Sequence, residues 1–307
     1  MSDQTKIQEN KQGLYRHPSS FSTIDGLIHF TAVTQEYLNQ IKELPVQEGD
    51  VLVATYPKSG TTWLSEIVWQ IYLDGAVDMT PIQVKVPYLD LEKFYHEMEN
   101  KELNLTELYL NKSFPRVFKT HLPYHQAPMG DGAVIKPKYI YVVRNPKDVA
   151  VSLYWHYKGS KLIEFQRSWD EFFDMFIEGN VIYGSWFDHV LGWWAHRDDP
   201  NILLLKYEDM KKNLSGAVEQ TAKFLDKDLP PEVIERIAEQ TTFTAMSDGK
   251  GRFYDGDGMK RRNPGINFLR KGEVGDWRNY FSEEQNKRFD ALYEHKMVGS
   301  GLELEFG

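Results

Sequence analysis

The chain has 307 residues, 41% of them hydrophobic and 14% aromatic, enough apolar material for a sizeable core and too much for wholesale disorder. Its net charge of −9 excludes a general polyanion binder, so no nucleic-acid partner is expected and any anion site has to be a local basic patch. With no cysteine, disulfides and thiolate metal sites are excluded.

Residues 1–20 are polar and mixed in charge and read as a flexible arm; residues 21–307 read as one domain. Met1–Gly13 has no apolar core, so it is not a signal peptide. No stretch approaches the roughly 20 apolar residues that span a bilayer. A soluble, cytoplasmic protein without a membrane partner is expected.

Short apolar runs then alternate with helical patterns. Val51–Tyr56 reads as a buried strand. Thr61–Asp74 places Trp63, Ile67, Val68, Ile71 and Tyr72 at helical spacing, and Gly75 ends it. Arg116–Thr120 is a second strand and Tyr139–Val143 a third, followed by a helix opening near Pro146. Helices follow over Trp169–Ile177 and Ser185–His196, a strand over Ile202–Tyr207, and helices over Leu214–Leu225, Glu232–Gln240 and Glu283–Met297. Ser247–Asn267 lacks periodicity and reads as a lid. Strands alternating with helices predict an α/β fold, a mostly parallel sheet flanked by helices.

The strongest local signal is Tyr56-Pro57-Lys58-Ser59-Gly60-Thr61-Thr62-Trp63, a P-loop-like strand–loop–helix. The first N–H groups of a helix have no partner within it, and the helix dipole is positive there. Gly60 lets the backbone approach an anion, Lys58 adds a charge, and Thr61 and Thr62 add hydroxyls. The order differs from the Walker pattern G-x-x-x-x-G-K-[ST], because the lysine precedes the glycine and the first glycine is missing. A nucleoside triphosphatase would need that lysine and a magnesium-holding acid in place.

Two further segments carry chemistry. Lys119 and His121 lie two apart at the end of the second strand and point the same way. That is where open α/β sheets bind ligands, and a histidine there suits a general base; a surface histidine is the plain alternative. Arg144 leaves the third strand, with Asp148 and Ser152 on the helix behind it. Arginine forks onto phosphate, and a surface Arg–Asp pair is the alternative. Near the C-terminus, Arg270, Lys271 and Gly272 precede Gly275-Asp276-Trp277 and form either a second phosphate site or a solvated turn.

Tyr56–Trp63, Arg144–Ser152 and Arg270–Trp277, in this order and spacing, resemble the cytosolic sulfotransferases. Lys119-Thr120-His121, Tyr183–Trp186 and Tyr207–Met210 resemble the same family, over about Ile24–Met297. The resemblance implies 3′-phosphoadenylyl sulfate (PAPS) as co-substrate, PAP as product and no metal. Lys58, Ser59, Gly60, Thr61, Thr62 and Trp63 would hold the 5′-phosphosulfate, and Arg144, Ser152, Arg270, Lys271 and Gly272 the 3′-phosphate. Trp63 and Phe243 would sandwich the adenine, with Tyr207 and Thr241 at the base edge. Thr242, Thr244, Ala245, Met246, Phe268 and Leu269 complete the implied cofactor-binding set. His121 would be the general base, assisted by Lys58 and Lys119, with Ser152 restraining Lys58. Phe30, Pro57, Tyr88, Lys119, His121 and Trp155 would line a pocket for a small-molecule acceptor such as a phenol or steroid. Lys250, Arg252, Lys260, Arg261 and Arg262 make the lid basic, which points to an acidic group on the acceptor. The family's dimer motif, Lys-x-x-x-Thr-Val-x-x-x-Glu, is degraded to Arg278, Ser282, Glu283 and Lys287. A monomer or a weak dimer is therefore expected.

Overall fold

Four strands form one parallel sheet in the order β4–β3–β5–β6, where β3 is Val51–Thr55, β4 Val117–Thr120, β5 Lys138–Val143 and β6 Ile202–Lys206. The computed structural model describes residues 20–307 apart from 94, 95, 97–101, 130–135, 162, 164, 249–262 and 264. The strands are near-continuous apolar runs because helices cover both faces. Along β5, Tyr139, Tyr141 and Val143 enter one core while Ile140 and Val142 enter the other, as a period of two requires. β3 pairs Val51 with both Val117 and Lys138, which fixes the register of the central strands.

β3 runs into helix α2, Thr61–Tyr72. This helix stops earlier than the sequence pattern predicts, because Asp74 and Gly75 both take positive φ, 49° and 79°. β5 runs into α5, Pro146–Gly159, where the Asn145 side chain accepts the Asp148 N–H and Pro146 occupies the first turn. Helix α1 (Gln35–Lys42) precedes β3, and α3 (Ile82–Lys85) and α4 (Leu105–Leu110) lie between α2 and β4; none of them was expected from the sequence. The later helices are α6 (Trp169–Ile177), α7 (Trp186–Trp194), α8 (Tyr207–Lys212), α9 (Leu214–Phe224), α10 (Pro231–Gln240), α11 (Phe243–Asp248) and α12 (Glu283–Met297).

Several boundaries differ from the sequence expectation. Tyr207 is the first residue of α8 rather than the last of β6. Arg116 precedes β4, and its guanidinium is held by the buried Asp50 carboxylate at 2.5 Å. Helix α11 occupies the start of the expected lid; residues 249–262 lie outside the described residues, as do 1–19. Missed entirely was an antiparallel hairpin, β1 (Phe21–Ile24) with β2 (Leu27–Phe30). Its turn is Asp25-Gly26, both at positive φ, the Asp-Gly signature of a two-residue hairpin turn. Among the described residues, no helix is long and apolar enough to cross a membrane.

Candidate active site

The connections leaving β3 and β5 run to opposite sides, toward β4 and β6. A crevice therefore opens at the carboxyl ends of these adjacent strands. A cavity of about 570 Å³ begins there. Its wall gathers residues from every segment singled out in the sequence: Lys58 and Gly60–Trp63, Lys119 and His121, Arg144 and Ser152, Phe268–Gly272.

The loop after β3 is held by its backbone. Lys58 sits at φ 70° and Gly60 at φ 113°. The conformation of Gly60 favours glycine, and a Cβ there would also crowd the Tyr207 ring at 3.2 Å. No side chain caps α2 and no acid stands in its first turn, which leaves its positive end open to an anion. The Thr61 hydroxyl bonds that of Thr55 at 2.6 Å. Ser59 is fully buried, its Oγ without a hydrogen-bond partner. The Lys58 ammonium lies over the Phe268 ring at 4.4 Å.

Arg144 and Asp148 are buried rather than surface-paired. The Arg144 guanidinium stacks on Tyr207 at 4.2 Å and donates to the Glu273 carbonyl at 2.9 Å. Asp148 accepts the N–H groups of Gly275 (2.8 Å) and Trp277 (3.0 Å), so one carboxylate ties α5 to the C-terminal basic segment. In that segment Asp276 holds both Arg270 and Lys271 at 2.5 Å. Gly272 has φ 67°, and a Cβ there would fall 2.2 Å from the Phe243 ring, so no other residue fits between the basic turn and the aromatic.

Trp63 donates its indole N–H to the Thr241 carbonyl at 2.8 Å and meets Tyr207 edge-on. Trp63, Tyr207, Thr241, Phe243 and Met246 share the wall, whereas Ser59, Thr242, Thr244 and Ala245 do not reach it. Phe30, Pro57 and Tyr88 line the other end. Trp155, expected there, is turned away: its N–H donates to the Tyr280 hydroxyl at 2.9 Å. That end also carries Gln83, Glu92, His96 and Lys112, which the sequence reading did not single out.

His121 is buried on this wall. Its Nδ1 lies 2.8 Å from the Thr55 carbonyl. A carbonyl only accepts, so Nδ1 carries the proton and Nε2 is left as the basic nitrogen. Burial, aided by the Lys119 and Lys58 charges, pushes the His121 pKa down to about 4, so the ring is neutral at pH 7. Its carbonyl receives Nε2–H of His189 at 2.9 Å, and His189 Nδ1 accepts from the Tyr141 hydroxyl at 3.0 Å. Lys119 is almost fully buried, with its ammonium 4.4 Å from the Tyr88 ring; burial pushes its pKa down to about 7.

Three features fit a dianionic nucleotide. On the cavity wall, Arg144 Nε and Arg270 Nε are buried and have no hydrogen-bond partner. Lys58, Arg144, Arg270 and Lys271 stand on one cavity, together with the rings of Trp63, Tyr207 and Phe243. An α/β fold that brings an open helix N-terminus, several cations and a neutral histidine to one cavity fits an enzyme that handles a phosphate-bearing ligand.

Comparison with known proteins gives the family. The sulfotransferase domain matches residues 48–301. Sulfotransferase 1B1 of Mus musculus is 39% identical over 282 residues, 91% of each chain. Sulfotransferase 2A1 of Homo sapiens is 36% identical over 273 residues, 88% of this chain and 92% of its own. Retinol dehydratase, solved in complex with androsterone and the inactive cofactor PAP, superposes with a TM-score of 0.80 at 29% identity, covering 92% of this chain and 90% of that one. Mouse sulfotransferase SULT7A1 complexed with PAP gives 0.74 at 32% identity, covering 92% and 95%. The chain belongs to the sulfotransferase family.

Proposed function

We propose that this enzyme moves a sulfuryl group from PAPS to the hydroxyl or amine of a small hydrophobic acceptor such as a phenol or steroid, with His121 as general base. The observation that carries the proposal is the His121 tautomer: Nδ1 is committed to the Thr55 carbonyl, which leaves Nε2 as the basic nitrogen of a ring on the same cavity wall as Lys58. Support for the donor comes from the two relatives solved with PAP, and for an apolar acceptor from the androsterone complex and from Phe30, Pro87, Tyr88 and Leu91 at this end.

The nucleotide supplies the sulfuryl group and leaves as PAP. His121 Nε2 takes the acceptor proton as the acceptor oxygen bonds sulfur and the bond to the phosphate oxygen breaks. Lys58 neutralises the phosphate oxygen released, and Lys119 faces the sulfuryl oxygens. Gly60–Trp63 present the helix N-terminus to the 5′ end. Arg144, Ser152 and Arg270–Gly272 hold the 3′-phosphate, while Trp63 and Phe243 flank the adenine. The test is transfer from labelled PAPS to a panel of phenols, steroids, amines and acidic alcohols. Turnover with none of them, in a protein that binds PAP, refutes the acceptor class.

The pH dependence follows from signs. His121 accepts a proton only when neutral, so kcat/KM for the donor rises with pH through about 4. Lys119 stabilises anionic oxygens only when charged, so kcat/KM falls as pH rises through about 7. A plateau extending unchanged to pH 9 would remove Lys119 from the scheme.

We also propose a monomer or weak dimer in the cytoplasm. Ser282 caps α12 in a capping box with Gln285, and Glu283 is an exposed first-turn acid, which suits the helix and puts a charge where the family motif has an apolar residue. Light scattering at micromolar concentration should give the monomer mass; a stable dimer broken by changing Glu283 would contradict this.

A further inference from the structure

We propose that Asp90 is the positioning residue of the base, holding the His121 backbone and the Tyr183 side chain in one grip that sets where the imidazole stands against the acceptor. This rests on the reading of His121 as base.

Asp90 lies in the chain after α3 and is fully buried. A buried carboxylate is costly unless donors surround it, and here they do. Both oxygens stand 3.2 Å from the His121 N–H. The Tyr183 hydroxyl donates to Oδ2, and the Thr120 hydroxyl also bonds the carboxylate. β4 ends at Thr120, so the ladder no longer serves His121, and a side chain 31 residues upstream takes its N–H instead. Thr55 fixes the ring and His189 the carbonyl; Asp90 supplies the remaining anchor.

Tyr183 gives a second, independent sign. It is a buried non-glycine residue at φ 63°, a conformation that persists only where the surroundings over-determine it and that gathers at functional sites. Its N–H is tied to the Ile28 carbonyl at 2.8 Å. The ring lines the cavity 5.4 Å from that of His121, and its hydroxyl reaches Asp90. Acceptor wall and base thus meet at one carboxylate.

In Asp90→Asn one acceptor oxygen becomes an N–H₂ donor, so either the His121 N–H loses a partner or the Tyr183 or Thr120 hydroxyl has to turn and accept, and the grip on the His121 backbone loosens. We expect kcat to fall about 10²-fold, the cost of a misplacement of ~1 Å, with PAP affinity unchanged. On a His121→Ala background the same change should cost nothing further, because one pathway is already broken. Wild-type kcat in Asp90→Asn, or losses that multiply with those of His121→Ala, would overturn the proposal. If Asp90→Asn fails to fold, as judged by PAP binding, Tyr183→Phe decides: it keeps the ring and removes one donor, with an expected loss of about tenfold in kcat, and an unaltered kcat refutes the role. A His121→Ala enzyme that stays active would remove the base reading itself, and this proposal with it.

Discussion

Replacing His121 with alanine should lower kcat by about 10²–10⁴-fold, the usual contribution of a general base, while PAP binds as before. The separation is expected because the ring's hydrogen bonds go to Thr55 and none goes to Lys58–Thr62 or to the basic segment. The neutral ring that burial enforces is a weak base in the free enzyme. Two phosphates nearby would strengthen it, since a neighbouring anion favours the charged imidazolium. The variant should therefore lose the acidic limb of the pH profile along with its rate. A kcat within tenfold of the parent, or a loss confined to PAP binding, would show that the proton leaves by another route.

Lys58→Ala should cost about 10²–10³ in kcat, in line with removal of one group that meets charge developing in the transition state. The lysine sits at positive φ in the turn between β3 and α2, with its ammonium resting on the Phe268 ring. A cation–π contact of this kind is worth about 0.5–2 kcal/mol. If Lys58 acts on the leaving oxygen, kcat and kcat/KM for PAPS fall together and the affinity for PAP falls less. A variant with normal kcat and a raised dissociation constant for PAP would reduce Lys58 to a binding group.

The sheet was legible because its strands are buried on both faces: Val51–Thr55 and Tyr139–Val143 read as continuous apolar runs. The anion loop and the basic segment were legible because their chemistry is local, in Lys58–Thr62 and Arg270–Gly272. What could not be read depends on partners distant in sequence. Asp90, in Pro87-Tyr88-Leu89-Asp90, looks like a surface acid until His121 and Tyr183, 93 residues on, close around it. His189 looked ordinary because its partner is a backbone carbonyl 68 residues away. The hairpin of Phe21–Phe30 had its own signal in Asp25-Gly26, but its strands are too short and mixed for periodicity to stand out. Helix α8 was hidden because Tyr207 continues the apolar run of β6 directly.

The grip of Asp276 on Arg270 and Lys271 has an electrical consequence. Two cations and one carboxylate leave that wall with a net charge of +1 when the three are grouped. The protein thus carries its own counterion at the mouth of the site, and the empty wall attracts stray inorganic anions less than two bare cations would. If Arg270 and Lys271 hold a phosphate as proposed, its arrival is an ion exchange that displaces an internal partner rather than a cloud of salt. The Asn279 side-chain amide also donates to that carboxylate, at 2.9 Å, and so leaves Asp276 one protein partner that an incoming anion does not compete for.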